Sequence, residues 1–487
     1  MVDPEGFDDP AESLPLGPSR TRRVVMTAVV VLLVASMAFL AFVSGRGVIG
    51  PVEPKVIQPS LPVALTPPSI APGQPLIARL AVVDPDGRLS TMDQFGASVT
   101  ALGTAGDHYS GPAWSPDGQH LAAISGGTDL GSEVHVFSVG FDATGARAPT
   151  VVYGSQTSRP AYVFWTPDSR SITFETDERM GAALRVASIA RGAASVTVVH
   201  MGAPLYWSWL QDGEPFVHSG GHGGDAFLGE VGLWDQTRRA VSTAPGGFRA
   251  PGTSADGRYR GFAVRQGEAY RIVVESTDGG VRREIPVKGT VALAFDPAGD
   301  DLAYIAPTKA DPSASQPSQP VGPLQVLDPA SGISRRVVAG QVVAFSWSPD
   351  GRTIAALQLP TDDDKQALLD ASGSDARLVS YTGAGVDGAV PPLSPANPGV
   401  RLRLTFVRTD DWTMRSKSVV QVGDGFVSQV IPEFEQYGLS HRLWAPDSSA
   451  IALPVVASDG SVNIVAIQPD GSQPRRIASG IAAFWSP

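Results

Sequence analysis

The sequence predicts an all-β chain: a β-propeller of four-stranded blades carried behind one transmembrane helix. Three observations carry that expectation. A unit at residues 112–124, Pro-Ala-Trp-Ser-Pro-Asp-Gly-Gln-His-Leu-Ala-Ala-Ile, returns along most of the 487 residues. An uncharged apolar run of twenty residues, 24–43, stands near the N-terminus. The final Trp485-Ser486-Pro487 stops halfway through the unit, and a stretch beginning at Pro72 reads like its other half.

Composition bounds the function classes. Gly (53) and Pro (42) fall short of the roughly one quarter that marks a low-complexity chain, and 43% of residues are apolar, enough for a large core. The formal charge is −11, nearly all of it after residue 50. Such a surface repels phosphate, and the later basic residues gather only in short pairs such as Arg282-Arg283, Arg335-Arg336 and Arg475-Arg476, so nucleic acid is not expected as a partner. With no cysteine, disulfides, thiolate metal sites, a cysteine nucleophile and a lipidated N-terminal cysteine are excluded.

Residues 1–23 read as a cytoplasmic disordered tail, acidic at first (Asp3, Glu5, Asp8, Asp9, Glu12) and ending in Arg20, Arg22 and Arg23. Residues 24–43 span the ~30 Å hydrocarbon layer at ~1.5 Å per residue, and are expected to form a transmembrane signal anchor. A cleaved secretory signal is the rival; the run exceeds the usual apolar signal core, and Val43-Ser44-Gly45 makes a poor cleavage site. Three arginines before the helix and only Arg46 directly after it place the N-terminus in the cytoplasm and the bulk of the chain outside. Residues 44–71 form a stalk: prolines 51, 54, 59, 62, 67 and 68, followed by 72 and 75, favour polyproline II over helix or central strand. Residues 72–487 are the propeller.

The repeat marker is the aromatic position of the opening unit. It recurs at Trp114, Trp165, Trp209, Thr253, Phe295, Trp347, Trp444 and Trp485, in steps of 51, 44, 44, 42, 52, 97 and 41 residues. Self-similarity at ~40 to 50 residues indicates blades that bury their faces only against one another. Each part of the unit has a mechanical reason. Apolar residues before the marker make an inner strand, the aromatic packs between blades, and the following residues are turn chemistry, with Pro fixing φ and Gly permitting a positive one. The turns are Pro116-Asp117-Gly118, Pro167-Asp168-Ser169, Asp212-Gly213, Asp256-Gly257, Pro349-Asp350-Gly351 and Pro446-Asp447-Ser448. Strand-forming runs follow, such as Leu121–Ile124, Thr353–Leu357 and 133–139.

Trp-Ser-Pro-Asp-Gly followed by a short apolar strand, then a turn such as Val83-Asp84-Pro85-Asp86-Gly87, resembles the TolB-type WD-like propeller repeat over roughly residues 72–487. The resemblance implies a β-propeller of the kind used in bacterial envelopes for protein contact. The sequence departs from TolB in having a membrane anchor and no α/β domain ahead of the repeats, so a role with the Tol system and its peptidoglycan-associated partner does not carry over.

Pro72-Gly-Gln-Pro-Leu-Ile-Ala78 matches the continuation 116–122, so N- and C-terminal strands are expected to share one closing blade, removing open sheet edges. Marker counting gives eight blades, with seven the alternative. The 97-residue step holds either one blade with a long insertion, 361–398, or two degenerate blades with Leu393-Ser394-Pro395 at a marker position.

No catalytic, cofactor or metal residue is nominated. His218-Ser-Gly-Gly-His222-Gly-Gly-Asp225 offers metal-ligating groups on a glycine loop, but a plain turn at a strand end accounts for it better. Asp362–Asp364 with Lys365 reads as a solvated charged loop. No Gly-x-Ser-x-Gly occurs, which disfavours a serine hydrolase. The repeat aspartates 117, 168, 212, 256, 350 and 447 read as turn caps. Trp412 with Asp410, Asp411, Arg415 and Lys417 has interface composition, but packing in the core or at a blade edge accounts for it better. Ile431-Pro-Glu, Phe434 and Tyr437 read as a contact loop or a blade connection. The function expected is a monomeric, membrane-anchored binding or scaffold module for a protein, a peptide or an envelope polymer. The alternative is a propeller hydrolase or lyase with paired carboxylates in a deep channel, acting on an extracellular glycan.

Overall fold

A computed structural model describes residues 78–487 except 105, 128–130, 140–147, 191–195, 268, 308–318, 362–398 and 458. The tail, the transmembrane segment 24–43 and the stalk lie outside the described residues. Among those described, no helix is long and apolar enough to cross a membrane.

The described residues form five four-stranded antiparallel sheets and one of ten strands, each made of strands consecutive in sequence except the sheet that joins the two ends. Strands β1 (Arg79–Val83), β2 (Leu89–Asp93) and β3 (Thr100–Leu102) pair in order. The second sheet holds β4 (Tyr109–Trp114), β5 (His120–Gly127), β6 (Gly131–Ser138) and β7 (Thr150–Ser155). The third holds β8 (Pro160–Trp165), β9 (Ser171–Glu178), β10 (Gly181–Ser188) and β11 (Thr197–Met201). Next come β12 (Leu205–Trp209), β13 (Pro215–Ser219), β14 (Phe227–Val231) and β15 (Arg238–Ala240). The fifth sheet holds β16 (Gly252–Thr253), β17 (Tyr259–Gln266), β18 (Ala269–Ser276) and β19 (Arg282–Val287).

Beyond residue 290 one sheet of ten strands continues the pattern. It runs β20 (Ala292–Phe295), β21 (Leu302–Ile305), β22 (Gly322–Leu327), β23 (Ser334–Trp347), β24 (Thr353–Gln358), β25 (Val400–Arg408), β26 (Met414–Val422), β27 (Ile451–Val456), β28 (Val462–Ile467) and β29 (Arg475–Ser479). Its continuity has a local cause. The fourteen-residue β23 pairs with β22 through its first half and with β24 through its second, swinging at Gly340, whose φ is +96°. A single pair, Val422 with Val455, joins β26 to β27.

The last strand, β30 (Ala482–Trp485), pairs with β1: Leu80 faces Trp485 and Val83 faces Ala482. The two ends of the described chain therefore complete one sheet in the order β3-β2-β1-β30. The arrangement is that of a β-propeller. Successive inner strands touch one another around an axis, β30 against β4, β4 against β8, β12 against β16 and β16 against β20. Buried apolar side chains fill the spaces between neighbouring sheets, as where Ala113 and Val134 meet Val163 and Phe174. β24 pairs directly with β25, Thr353 facing Arg408 and Gln358 facing Arg403. Residues 362–398, on which the choice between an insertion and two degenerate blades falls, lie outside the described residues.

One departure from an all-strand reading matters for the site. Between β26 and β27 the chain forms helix α1 (Asp424–Gln429), a 3₁₀ turn (Ile431–Glu433) and helix α2 (Phe434–Ser440).

Candidate functional site

The repeated motif builds joints. Trp114, Trp165, Trp209, Thr253, Phe295, Trp347 and Trp485 each end the first strand of a set of four, and Trp444 bridges to Ile451 in the same role. Four of the indoles donate to the blade before. Trp114 Nε1 reaches the carbonyl of Phe484 at 3.0 Å, Trp165 that of Ala113 at 2.9 Å, Trp347 that of Ala294 at 3.1 Å and Trp444 that of Ser346 at 3.3 Å. Each acceptor lies one residue before the preceding marker. The turns that follow are closed on themselves. Asp117 Oδ1 accepts Ser115 Oγ at 2.5 Å and the Gln119 N–H at 2.9 Å; Asp168 and Asp350 accept Thr166 and Ser348 and the N–H two residues on. Asp212 and Asp447 accept the N–H groups of Glu214 and Ser449. These carboxylates are occupied by their own turns.

The glycine-loop histidines separate. His218 is fully buried, its Nδ1 at 3.2 Å from the Arg249 carbonyl, and burial lowers its pKa to about 4. His222 is exposed on the loop. Among the described residues no group of three His, Asp or Glu is placed to hold a metal. Trp412 is partly buried at the β25–β26 turn, with Arg335 of the neighbouring strand set 5.2 Å over its ring, and Arg415 pairs with Asp411 at 2.6 Å.

The convergent site lies at the axis, where the helical segment sits among the inner strands. Its underside is apolar: Phe426, Val427, Val430, Ile431 and Phe434 are buried, and the Phe434 ring packs 5.1 Å from Phe345. The space left between helices and strands there is about 30 Å³, room for about one water. Its tip is polar and gripped by β8, β12 and the segment leading into β16. Gln436 is paired like a strand residue: its Oε1 accepts the Trp207 N–H at 3.1 Å and its Nε2 donates to the Trp207 carbonyl at 2.9 Å. Tyr162 donates to the Gln436 carbonyl at 2.7 Å and packs edge-on against Tyr437 at 5.3 Å. Arg249, 1% exposed, pairs with the fully enclosed Glu435, donates to the Pro432 carbonyl at 2.9 Å and lies 3.5 Å from Glu433. On the far side His441 contacts the Phe484 ring at 4.7 Å, and its Nε2 lies 3.3 Å from the Gly111 carbonyl of β4.

The electrostatics follow from this enclosure. Burial raises Glu435 to about 7, with Arg249 opposing and Glu433 reinforcing the shift. Glu175 faces Tyr162 across the β8–β9 pair; it keeps a partial opening to solvent, yet burial, with Glu433 and Asp177 nearby, raises it to about 8. Burial works against the charge of Arg249, but Glu435 and Glu433 outweigh it and raise its pKa. Burial also lowers His441 to about 4 and raises Tyr437 to about 12. Of this constellation the sequence reading singled out Ile431, Glu433, Phe434 and Tyr437 but placed them on a connecting loop; Arg249, Glu175 and Glu435 carried no local signal.

A second concavity lies on the outer wall. A groove of about 480 Å³ is lined by Ser242, Thr243, Gln266, Arg271, Arg282 and Glu284, with Arg282 donating to Thr243 at 2.8 Å and Arg271 to Glu284 at 3.0 Å.

No protein-family model and no curated protein matches the chain. Among solved structures it is similar to TolB from Acinetobacter baumannii, at 14% identity and a TM-score of 0.35 over 71% of this chain; it spans 64% of that protein's length. It is also similar to the dihydro-heme d1 dehydrogenase NirN, at 13% identity and a TM-score of 0.47 over 93% of this chain and 85% of the other. A puromycin-hydrolyzing peptidase of Mycobacterium tuberculosis matches at 17% identity and a TM-score of 0.37, over 57% of this chain and 48% of the other. Likenesses at this level assign neither activity nor ligand.

Proposed function

We propose that the protein is a membrane-anchored extracytoplasmic propeller that binds a protein, a peptide or an envelope polymer through its outer surfaces. On this reading residues 1–23 are a cytoplasmic tail, 24–43 the anchor, 44–71 the stalk and 72–487 an eight-bladed monomeric propeller. Eight is supported by seven marker-ended strands together with the Trp444 bridge to Ile451, and by the swing of β23 at Gly340, which makes one strand the outer edge of one blade and the inner edge of the next.

The observation that carries binding over catalysis is the occupancy of the axis by the chain's own helices, held through Gln436 and Arg249. A glycan-cleaving site needs an open cleft with two free carboxylates about 5 to 10 Å apart; here Glu435 is enclosed and paired with Arg249. The polar outer groove, with its hydroxyls, amide and guanidinium groups, suits a hydroxylated or charged polymer segment.

The convergence of Glu175 and Glu433 is what favours the hydrolase alternative. One experiment separates the two readings. Full-length chain in detergent micelles is incubated with isolated cell-envelope glycan, and co-sedimentation and reducing-end release are both followed. Retention without release, weakened by Arg282→Ala and indifferent to Glu433→Gln, supports the binding module. Release abolished by Glu433→Gln overturns it. Orientation is checked on the naturally cysteine-free chain: Ser242→Cys should react with an impermeant maleimide on intact cells, and Ser13→Cys only after lysis.

A further inference from the structure

We propose that the axial segment 424–441 is a proton-dependent plug, whose polar half loosens from the ring as Glu435, paired with Arg249 beside Glu433, and Glu175 of β9 lose their protons. The inference starts from a charge count in an enclosed space. Glu433 lies 3.5 Å from Arg249 Nη1 and Glu435 pairs with Nη2, so one guanidinium faces two carboxylates of the plug. Glu175 adds a third from the ring. It stands beside Tyr162, which packs on Tyr437, one helical turn beyond Glu433. Fully ionised, the group would carry two uncompensated negative charges inside the ring. Like charges so placed cannot all ionise without cost.

Among the described residues, the other groups facing the plug do not supply the missing cation. β9 brings Asp177, another acid, at the rim; β12 brings Tyr206, whose hydroxyl burial and Glu433 hold protonated. β8 brings only Tyr162, β4 the backbone of Gly111, and β23 the apolar Phe345. On the plug itself, Asp424 stands at the start of α1, Tyr437 faces Tyr162, His441 is buried neutral, and Arg442 follows at an exposed position.

The geometry also says which half moves. α1 and the 3₁₀ turn are anchored by apolar side chains against β23, β24 and β27. The half from Glu433 onward is held by polar contacts to Trp207, Tyr162 and Arg249. The sign is fixed by the shifts: seating raises Glu435 to about 7 and Glu175 to about 8 from an ordinary 4.5, so the seated plug binds more protons than the loosened one. Seating is fully supported below about pH 4.5 by these groups and is lost as pH rises through 7 to 8. His441 acts oppositely, but its contribution is constant above its ordinary 6.5, so the alkaline window reports the carboxylates alone.

The test is hydrogen exchange by mass spectrometry on the full-length chain in detergent micelles between pH 6.5 and 8.5, corrected for the intrinsic exchange rate. Protection of peptides covering 433–441 is expected to fall about tenfold or more relative to peptides from β24 and β25, a proton lost per pH unit being worth a factor of ten. Glu175→Gln should flatten that fall. Parallel behaviour of the two regions overturns the proposal, as does an unchanged fall in Glu175→Gln. Should that variant fail to fold, Glu433→Gln carries the same comparison with the same two outcomes.

Discussion

Ser169 and Ser448 have φ of +61°, at the turn position that Gly118, Gly213, Gly257 and Gly351 fill in other repeats. A side chain in the left-handed region costs roughly 1 kcal/mol. Each serine hydroxyl accepts the backbone N–H of the aspartate in another blade's turn, Asp117 at 3.0 Å and Asp350 at 3.1 Å, and such a bond contributes about 1 kcal/mol. The two effects offset one another. Ser169→Gly should therefore lie within about 0.5 kcal/mol of the parent in urea unfolding, whereas Ser169→Ala, which keeps the strain and loses the bond, should cost about 1 kcal/mol. A glycine variant less stable than the alanine one contradicts this account. The tryptophans allow a second comparison. Trp347 donates to Ala294, but the buried Nε1 of Trp485 has no partner among the described residues. Replacing Trp347 by Phe should cost about 1 kcal/mol more than the same change at Trp485, because only the first removes an indole hydrogen bond, the one to the partly buried Ala294.

The axial helices show what a sequence reading can and cannot reach at the scale of the element. Inner strand, turn and second strand are contiguous in every repeat, so hydrophobic runs and turn residues specify them locally. The helical period was also present, in Phe426, Val427, Val430, Ile431 and Phe434, but Gly423, Gly425, Pro432 and Gly438 interrupt it with loop chemistry. Nothing local says that this segment turns into the axis. That is decided by partners such as Arg249, which meets Pro432 across 183 residues of sequence. The same distance hid the role of the arginine pairs. They read as isolated basic doublets, yet Arg283 bonds the carbonyls of Pro329 and Ala330 at 3.1 and 2.7 Å, and Arg475 bonds the Gln94 carbonyl at 2.7 Å while covering Phe95. Each crosses to the next blade's turn as a strut. The plug's own hold is testable at one residue. Gln436→Ala would leave both the N–H and the carbonyl of Trp207 unpaired in a buried setting, at about 2 to 4 kcal/mol for two lost bonds. A loss under about 1 kcal/mol in thermal unfolding would show that the helices are not held at that point.

For the whole molecule, closure and proton balance decide stability. Deleting 481–487 removes β30, the carbonyl that Trp114 bonds and the Ser486 hydroxyl that receives the Arg79 N–H. It also strips Ala483, Phe484 and Trp485 from the core, about 5 kcal/mol of apolar burial, so the truncated chain should melt well below the parent. The pH profile is set by two opposed groups of buried side chains. Burial lowers His200, His218 and His441 to about 4 from 6.5, so their contribution is full above pH 6.5 and lost as pH falls to about 4. Glu175, Glu435 and Asp301 are raised to about 8, 7 and 6, so theirs is full below their ordinary values of 4.5, 4.5 and 3.8 and lost as pH rises through the shifted ones. Between pH 4.5 and 6 the unfolded chain takes up protons at three histidines while the native chain retains them at three carboxylates, and the two slopes nearly cancel. Above 6.5 only the carboxylates still change, and stability declines toward pH 8. Below 4.5 the histidines dominate, joined by turn aspartates such as Asp117 and Asp350 whose pKa values are lowered by their Ser hydroxyl and backbone N–H partners against the opposing effect of burial, and stability declines again. The melting temperature of the full chain should thus form a plateau centred on mildly acidic pH. Glu175→Gln should extend that plateau upward, and a maximum at pH 8 or above would mean that the axial carboxylates are ionised in the native ring.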